Sequence, residues 1–342
     1  MKHSPEITKY FQILSPDYPE FIDRYIQTEA MQRLSPIGQF CGCDYTKLHN
    51  IKYWYSRLDH SIACALIVWN FTQDKAQTLA SLFHDLGTPV FSHCIDYLFG
   101  DTMDQKSSEK TVLDILLGSK DIETLLDADK LTIDDVAHVE RYTIAENKKP
   151  KLCADRLEGV FHTGLIWHGF WGLSDIEKVY ENIEILENES SEDELGFKNE
   201  ELALKFFEGV YKYGIALQSN EDKFTMQFIA DTLKQIVKAR KLSIDDFYRL
   251  SEAEIISRIN QVSEISRRWK TFANATKLLR SDTQPDADYY VSVDCKKRFV
   301  NPLCTVSGGG GSARLTEIST TARNLHDQFM NFQDSKYSYL EF

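Results

Sequence analysis

The sequence predicts a mainly α-helical protein that ends in a small segment of mixed helices and strands. Three observations support this fold class. Apolar residues recur at steps of three and four along most of the chain, capping residues bound these stretches, and the pattern changes after about residue 285. The clearest stretch is RLDHSIACALIVWNF, with apolar residues at Leu58, Ile62, Ala65, Leu66 and Trp69. This spacing predicts a helix.

Further helices are predicted after this one. The segment QDKAQTLASLFHDLG repeats the helical pattern and ends at Gly87, a residue suited to a helix C-terminus. A short helix in SHCIDYLFG is expected after the Thr88-Pro89 break, and SSEKTVLDILLGS begins with serines suited to capping. The same pattern predicts helices in KPKLCADRLEGVFHTGLIW, EELALKFFEGVYKYGIAL and KFTMQFIADTLKQIVKARK.

Two stretches depart from the helical pattern. The acidic run LENESSEDELG, residues 186–196, is expected to be a solvated loop. The stretch DADYYVSVDCKKRFV is rich in Tyr and Val and predicts a strand, with a second strand in SARLTEIS. The intervening SGGGGS has the composition of an engineered linker and is given no functional weight. These changes divide the chain into a helical body, residues 1–285, and a small α+β segment, residues 286–342.

Composition excludes several classes of function. The chain has 39 basic and 52 acidic residues, a balance of −13, which argues against a nucleic-acid-binding protein because such a protein needs a basic face. The longest apolar run, residues 62–69, is too short to span a membrane, and the N-terminus lacks the layout of a signal peptide. Seven scattered cysteines, an odd number, are expected to be reduced thiols. We therefore expect a cytoplasmic protein.

Four side chains that can bind a metal lie on three of the predicted helices. His60 lies in the first, His84 and Asp85 lie at the end of the next, and Asp155 lies in CADRLEG. Imidazole nitrogens and carboxylate oxygens bind divalent cations, and a cation would compensate the burial of a His-Asp pair. Because the helix ends near Gly87, His84 and Asp85 can both face one point. The alternative is that each is an ordinary polar residue of a helical protein.

The order H…HD…D, formed by these four residues, resembles the metal-binding signature of the HD-domain phosphohydrolase superfamily. The stretches TEAMQRLSPIGQFCG, YSRLDHSIACA, FHDLGTPVFSH and ADRLEG resemble the deoxynucleoside triphosphate triphosphohydrolase (dGTPase-like) branch in order and spacing. The resemblance covers the first ~165 residues well and the remainder loosely. It implies an HD-domain helical bundle with its metal site within residues 33–170. It also implies one divalent cation (Mn, Mg, Fe, Zn, Ni or Co) held by His60, His84, Asp85 and Asp155.

The resemblance also implies roles for residues around the cation. Arg57 matches an arginine that contacts substrate phosphate, and Gln39 matches a glutamine near the nucleotide. His93 matches a histidine that donates a proton to the leaving group, and Asp96 matches the carboxylate that orients it. Independently, His93 and Asp96 are three residues apart on one short helix, so Asp96 is expected to raise the pKa of His93. The alternatives are simple packing for His93 and a helix-end hydrogen bond for Gln39.

The chain departs from the branch at several positions. Thr88 and Pro89 stand where the branch has His-Gly, and MDQKSSEKTVLDIL contains no histidine, although Lys106 is a candidate to bind substrate there. Gly159 replaces a tyrosine that lies against the sugar in the branch. His162, on the same predicted helix, is a candidate to fill this gap. The metal-binding set is therefore complete, while the nucleoside-binding set is not.

Two classes of function follow from these patterns. The first is a phosphohydrolase that acts on a small phosphorylated substrate, with nucleotides favoured, by metal-activated water. The second is an HD-fold nucleotide-binding or regulatory module with little turnover, which the missing histidines motivate. A cyclic-nucleotide phosphodiesterase is disfavoured because the chain lacks a Gly-Tyr-Pro companion motif. The resemblance also implies a homo-oligomer.

Overall fold

A computed structural model describes residues 4–105, 112–306 and 311–342. Lys106 and most of the SGGGGS stretch lie outside these residues. The described chain is mainly helical, which confirms the predicted fold class. Its α-helices are α1 (Pro5–Leu14), α2 (Ile22–Ile26), α3 (Glu29–Gln32), α4 (Arg57–Thr72), α5 (Lys75–Phe83), α6 (Cys94–Leu98), α7 (Val112–Gly118), α8 (Lys120–Asp129), α9 (Ile133–Val136), α10 (Ala154–His162), α11 (Leu173–Tyr180), α12 (Glu200–Gln218), α13 (Asn220–Lys238), α14 (Glu252–Ile259), α15 (Ser263–Asn274), α16 (Leu315–Ile318) and α17 (Thr320–Asn331).

Helix α4 lies at the centre of the helical body. Every residue from 57 to 68 is buried, as expected for a helix that packs on all sides. A capping box begins the helix: the Ser56 hydroxyl accepts the Asp59 backbone N–H at 3.1 Å, and the Asp59 carboxylate accepts the Ser56 backbone N–H at 2.8 Å. Helices α1, α5 and α10 pack against α4. The position of His60 is therefore fixed by the core.

Helix α5 ends before the predicted stop at Gly87. Its last residue is Phe83, and His84 is the C-terminal cap. Two turns follow, in which the Leu86 N–H donates to the Phe83 carbonyl and the Thr88 N–H donates to the Asp85 carbonyl, both at 3.0 Å. His84 and Asp85 thus stand where the backbone leaves the helix.

Two small sheets flank the helices. Their strands are β1 (Ile183–Glu187), β2 (Asp193–Phe197), β3 (Leu279–Ser281), β4 (Tyr290–Val291), β5 (Leu303–Thr305), β6 (Ser312–Arg314) and β7 (Tyr337–Tyr339). The first sheet has the order β1-β2-β5-β6, in which only the β2-β5 pair is parallel. The second is antiparallel, with the order β3-β7-β4. Both sheets join strands from the two sides of residue 285, and the domain division proposed there stays a prediction.

The acidic stretch of residues 186–196 is not a solvated loop, as the sequence predicted, but part of the β1-β2 hairpin. Leu195 and Phe197 of β2 are fully buried. Glu194 is also fully buried, because Arg314 of β6 donates to its two carboxylate oxygens at 2.6 and 2.8 Å. The negative charge of Glu194, which led to the prediction of a solvated loop, is neutralised by Arg314, 120 residues away along the chain.

The C-terminal strand predictions are correct only in part. The described strand in DADYYVSVDCKKRFV is limited to Tyr290–Val291. The stretch SARLTEIS begins as β6 but continues as α16 from Leu315. Their partner strands, β5 and β7, are also short, at three residues each. No helix within the described ranges is both long and apolar enough to cross a membrane.

The buried ion pair between Arg314 and Glu194 gives a test of the first sheet. Replacing one partner of such a pair leaves an uncompensated charge, so we expect Arg314→Ala to lower the free energy of unfolding by ~3 kcal/mol or more. Urea denaturation measures this loss. The control is Glu189→Ala, because Glu189 also contacts Arg314, at 2.7 Å, but its side chain is 58% exposed. A loss of stability in Arg314→Ala no larger than in the control contradicts the assignment.

Candidate metal centre

The four predicted ligands converge, and we call His60, His84, Asp85 and Asp155 the metal cluster. His60 Nε2 lies 3.1 Å from Asp155 Oδ1 and 3.9 Å from Asp85 Oδ2. His84 Nε2 lies 3.7 Å from each of the same two oxygens. Helices α4 and α10 and the end of α5 thus bring two imidazole nitrogens and two carboxylates to one point.

The Nε2 of His84, which faces the other residues of the metal cluster, is a hydrogen-bond acceptor rather than a donor. Its Nδ1–H donates to the backbone carbonyl of Ser81 at 2.6 Å, and this contact leaves the lone pair on Nε2. Nε2 is buried and has no hydrogen-bond partner in the described part of the chain. A buried nitrogen without a partner is unfavourable unless a ligand binds it.

His60 is oriented from behind by a buried carboxylate, that of Glu158. His60 Nδ1 contacts Glu158 Oε2, while Nε2 faces the metal cluster. The same carboxylate binds the hydroxyls of Tyr55 and Tyr10 at 2.7 and 3.3 Å and His162 Nδ1 at 2.6 Å. Burial acts to raise the pKa of Glu158, but His162 and His60 outweigh it and lower that pKa to about 2. Glu158 is therefore an anion that fixes the ring of His60, as carboxylates do behind metal-binding histidines.

Both carboxylates of the metal cluster are ionised at neutral pH. Burial acts to raise the pKa of Asp85, but the charge of Arg57 acts against burial, and the pKa lies well below its usual range. Burial opposes ionisation of Asp155 as well, but its hydrogen bond with His60 lowers its pKa. The metal cluster thus offers anionic oxygens together with imidazole nitrogens.

This donor set fits a divalent cation. Two imidazoles and two carboxylates are ligands that Mn, Fe, Co, Ni and Zn accept, and the unpartnered nitrogen of His84 is the atom that such a cation would bind. Cys64 also lies near, with its sulfur 3.7 Å from His60 Nε2. Burial raises the pKa of the Cys64 thiol, so it stays protonated and is a poor ligand. We infer a cation held by nitrogen and oxygen donors.

The metal cluster lies on the wall of a cavity of about 910 Å³. This volume lies within the ~300–1,000 Å³ that is usual for small-molecule sites. Most of the residues predicted from the sequence line it: Gln39, Arg57, His60, His84, Asp85, His93, Asp155 and His162. Asp96 is fully buried behind His93.

His93 and Asp96 form the predicted pair, with His93 Nδ1 2.9 Å from Asp96 Oδ2. Asp96 acts to raise the pKa of His93, as expected, but the charged form of the imidazole is nevertheless not favoured. Burial lowers this pKa, the positive charges of Arg298 and Arg57 lower it further, and together they outweigh Asp96, so that the pKa is about 4. His93 is therefore a neutral imidazole at pH 7, which the spacing of two residues cannot reveal.

Arg57 connects the metal cluster to the loop that precedes His93. Its Nη1 donates to Asp85 Oδ2 and its Nε donates to the Ser92 hydroxyl, both at 3.0 Å. The acceptor for Nη2 among the described residues is the sulfur of Cys41, 3.8 Å away. Two nitrogens of the guanidinium, Nε and Nη1, are thus held by oxygen acceptors, while the third, Nη2, has a weak sulfur acceptor among the described residues.

The remaining predicted residues differ in what surrounds them. Gln39 Oε1 is buried without a hydrogen-bond partner in the described chain, so it can accept from a ligand. His162 is bound to Glu158 and stacks on the ring of Tyr55, with centroids 5.2 Å apart. Its contacts support the carboxylate behind His60. The structure describes nothing of Lys106.

Sequence analysis missed Arg298 and Tyr213, which also line the cavity. Arg298 donates to Gln105 Oε1 at 2.6 Å and forms no salt bridge within the described ranges. A Cβ at Gly159 would lie 3.8 Å from the Tyr213 hydroxyl, so a side chain of α12 approaches the position where the resemblance expects a tyrosine. The KKR run was the available signal for Arg298, and Tyr213 carried none, because only the fold places α12 beside α10.

Comparisons with known proteins give the fold but no family. No protein-family model matches the chain. The chain is 22% identical over 267 residues to the uncharacterized protein YdhJ of Bacillus subtilis, covering 78% of this chain and 79% of that one. Its structure is similar to a phosphohydrolase from Bacteroides thetaiotaomicron (TM-score 0.64, 12% identity, 95% of each chain). It is also similar to a hypothetical protein from Aquifex aeolicus (TM-score 0.62, 15% identity, 94% and 92% of the two chains). The chain thus has a phosphohydrolase-like fold with a His/Asp cluster that can hold a metal.

The unpartnered nitrogen of His84 predicts strong dependence of metal binding on this residue. We expect His84→Ala to weaken the affinity for Mn²⁺ by more than ~100-fold, because changing even an outer residue of a metal site costs 10- to 100-fold. Titration calorimetry with Mn²⁺ measures the affinity. His138→Ala is the matched control, since His138 lines the same cavity but contacts Asp134 and Glu140 instead. Mn²⁺ affinity in His84→Ala equal to that of the control contradicts the assignment.

Proposed function

We propose that the chain is a metal-dependent phosphohydrolase that acts on a nucleotide or a related phosphate ester or anhydride. The observation that carries this proposal is the buried, unpartnered Nε2 of His84 among two carboxylates and a second imidazole, on the wall of a cavity that arginines also line. Four anionic or neutral donors attract a cation, and the arginines attract an anion beside it. A phosphorylated substrate satisfies both.

The cofactor in this proposal is one divalent cation held by the metal cluster: Mn, Mg, Fe, Zn, Ni or Co. Such a cation supplies Lewis-acid polarisation of a phosphate oxygen and a water molecule of lowered pKa. The fold similarity to a phosphohydrolase supports hydrolysis as the reaction class. The acidic charge balance argues against nucleic acid as a partner, and a homo-oligomer stays a prediction from the resemblance.

Arg57 is proposed to hold a phosphate oxygen through Nη2. Nε and Nη1 are bound to Ser92 and Asp85, which fix the plane of the guanidinium. Among the described residues Nη2 has the weak sulfur acceptor of Cys41, so a phosphate oxygen is a better acceptor for it. Arg57 thereby neutralises charge on the phosphate next to the metal cluster.

His93 is proposed to donate a proton to the leaving-group oxygen. Asp96 holds Nδ1, so Nε2 is the nitrogen that serves the cavity. With a pKa of about 4 the ring is neutral at pH 7, but a bound phosphate offsets the arginine charges that hold the pKa down. We propose that the substrate raises the pKa of His93, so that the ring gains the proton that it then donates.

Deoxynucleoside triphosphates are one candidate substrate among several. Thr88 and Pro89 replace the His-Gly of the branch, and the Thr88 hydroxyl donates to Asp85 Oδ1 at 3.1 Å. Position 88 therefore supports the metal cluster here. Because the comparisons support only the coarser class, we propose nucleotides as a group.

A binding or regulatory module with little turnover is the second candidate function. The neutral His93 favours it, because an imidazole with a pKa of about 4 is a poor proton donor unless a substrate changes it. In this case a nucleotide would stabilise the protein against heat without being hydrolysed.

A hydrolysis assay separates the two functions. We expect the wild-type protein to release phosphate or polyphosphate from at least one member of a nucleotide panel in the presence of Mn²⁺. His93→Gln is expected to lower kcat by ~100-fold or more, because a general acid contributes that much, while Mn²⁺ affinity is retained. His138→Gln serves as the control.

Thermal stabilisation by a nucleotide with no turnover, under any of the six metals, contradicts the phosphohydrolase and supports the binding module. Turnover in His93→Gln equal to wild type removes His93 from the mechanism but leaves the metal cluster in place.

Arg298 lines the cavity and forms no salt bridge with the residues that the structure describes, which predicts a role in substrate binding. We expect Arg298→Met to raise KM by roughly 10-fold or more with a smaller change in kcat, because a contact made equally in ground and transition states is lost. Steady-state kinetics on the best nucleotide of the panel measures this split. Lys297→Met is the control, since the Lys297 amine contacts the Met330 carbonyl at the surface. An unchanged KM in Arg298→Met contradicts the prediction.

A further inference from the structure

The loop between the metal cluster and His93 contains two consecutive residues in the left-handed region. Phe91 has φ +55° and Ser92 has φ +47°, and neither is glycine. Residues with side chains rarely adopt this conformation, and it persists only where the surroundings hold it. His93 follows directly, as the residue before α6. Something must therefore fix this turn if His93 is to keep its place.

The side chain that holds the turn is Glu252, the first residue of α14. It is fully buried, and its Oε1 accepts the backbone N–H of Phe91 at 2.9 Å. Its Oε2 accepts the hydroxyl of Tyr45 at 2.8 Å. Burial raises the pKa of Glu252 to about 7. Glu252, which lies 161 residues along the chain from Phe91, thus binds this turn through one carboxylate oxygen. The Tyr45 hydroxyl and the Gly38 backbone also donate to its carboxyl group.

The Phe91–Ser92 turn positions two residues of the proposed mechanism, Arg57 and His93. The Ser92 hydroxyl accepts a hydrogen bond from Arg57 Nε at 3.0 Å, and the Ser92 N–H donates to the Pro89 carbonyl at 3.0 Å. His93 begins the short helix that carries Asp96. A shift of the Phe91 backbone therefore moves both the phosphate-binding arginine and the proton donor.

The surroundings of Glu252 are built to accommodate it. A Cβ at Gly38 would lie 2.9 Å from Asp44 Oδ2 and 3.4 Å from Glu252 Oε2, so glycine leaves the room that these two carboxyl groups need. The metal cluster residues are carried by α4, by α10 and by the end of α5. None of the hydrogen bonds described for Glu252 reaches them.

We propose that Glu252 is a positioning residue, which holds the Phe91–Ser92 turn and thereby places His93 and Arg57 around the substrate phosphate. This inference rests on the proposed hydrolase function. It predicts that loss of the acceptor slows the chemical step while the metal cluster keeps its cation. It also predicts that a neutral acceptor of the same shape suffices, since Gln can accept from Phe91 and donate to the Tyr45 oxygen.

The test compares Glu252→Ala with Glu252→Gln in the full-length protein. The readouts are kcat and KM for bis(4-nitrophenyl) phosphate with Mn²⁺, the bound Mn²⁺, and amide hydrogen exchange of residues 88–95. In Glu252→Ala we expect kcat to fall by ~10- to 100-fold, because small misplacements of reacting groups have effects of that size. KM and bound Mn²⁺ are expected to stay within about 3-fold of wild type, and exchange at residues 88–95 to accelerate. Glu252→Gln is expected to restore kcat to within about 3-fold of wild type.

Two controls separate positioning from general stability. Tyr45→Phe removes the contact to Oε2 and leaves the contact to Phe91, so kcat is expected to change by less than about 3-fold. Glu254→Ala removes the exposed cap of the same helix α14, where Glu254 binds Ser251, and is expected to leave kcat unchanged.

Several outcomes overturn the proposal: wild-type kcat in Glu252→Ala, loss of Mn²⁺ in parallel with kcat, or a Glu252→Gln variant as slow as Glu252→Ala. If Glu252→Ala does not fold, Glu252→Asp takes its place. Its shorter side chain withdraws the acceptor while keeping a carboxyl group, and a wild-type kcat in this variant overturns the proposal. If the wild-type protein hydrolyses no substrate, the proposed function fails, and hydrogen exchange at residues 88–95 alone decides whether Glu252 holds the turn.

Discussion

One atom without a hydrogen-bond partner in the described chain, the Nε2 of His84, is the constraint on which the rest of the site depends. The Ser81 carbonyl fixes the proton on the other ring nitrogen, so Nε2 is a buried acceptor that faces two carboxylates, which are acceptors as well. Acceptors do not stabilise one another, and a group of them in the protein interior is stable only with a proton or a cation between them. The proposed metal, the phosphorylated substrate and the roles of the surrounding residues all follow from this requirement.

A small number of helices position the residues around His84 Nε2. Helix α10 supplies Asp155 to the metal cluster and, three residues later, Glu158 to the opposite side of His60. One helix therefore provides both a candidate ligand and the carboxylate that orients another. Because residues 57–68 of α4 are all buried, the ring of His60 cannot move without disturbing the core. The loop of His93 is also held from α14, through a contact to Glu252 that the metal cluster does not share.

The sequence was sufficient for features that are local or that repeat. The helical spacing predicted α4 and α5, although α5 ends at Phe83, before the predicted stop at Gly87. The residue types, together with the family resemblance, predicted the four residues of the metal cluster. It was not sufficient where a distant partner decides the outcome. The acidic run became a hairpin because Arg314 neutralises Glu194, and the pKa of His93 falls because Arg298 and burial outweigh Asp96. Glu252 carried no signal at all, since nothing near it in the sequence indicates that it binds the Phe91 backbone.

X-ray absorption spectroscopy of the protein loaded with Zn²⁺ or Mn²⁺ tests the central claim most directly. Since the metal cluster consists of two imidazoles and two carboxylates, the account predicts one bound metal with nitrogen and oxygen neighbours at ~2.0–2.2 Å for Zn²⁺ and the multiple-scattering pattern of two imidazoles. This pattern should lose one imidazole, or disappear with the metal, in His84→Ala. A sulfur neighbour at ~2.3 Å, which would indicate Cys64, or a spectrum unchanged in His84→Ala, would contradict it.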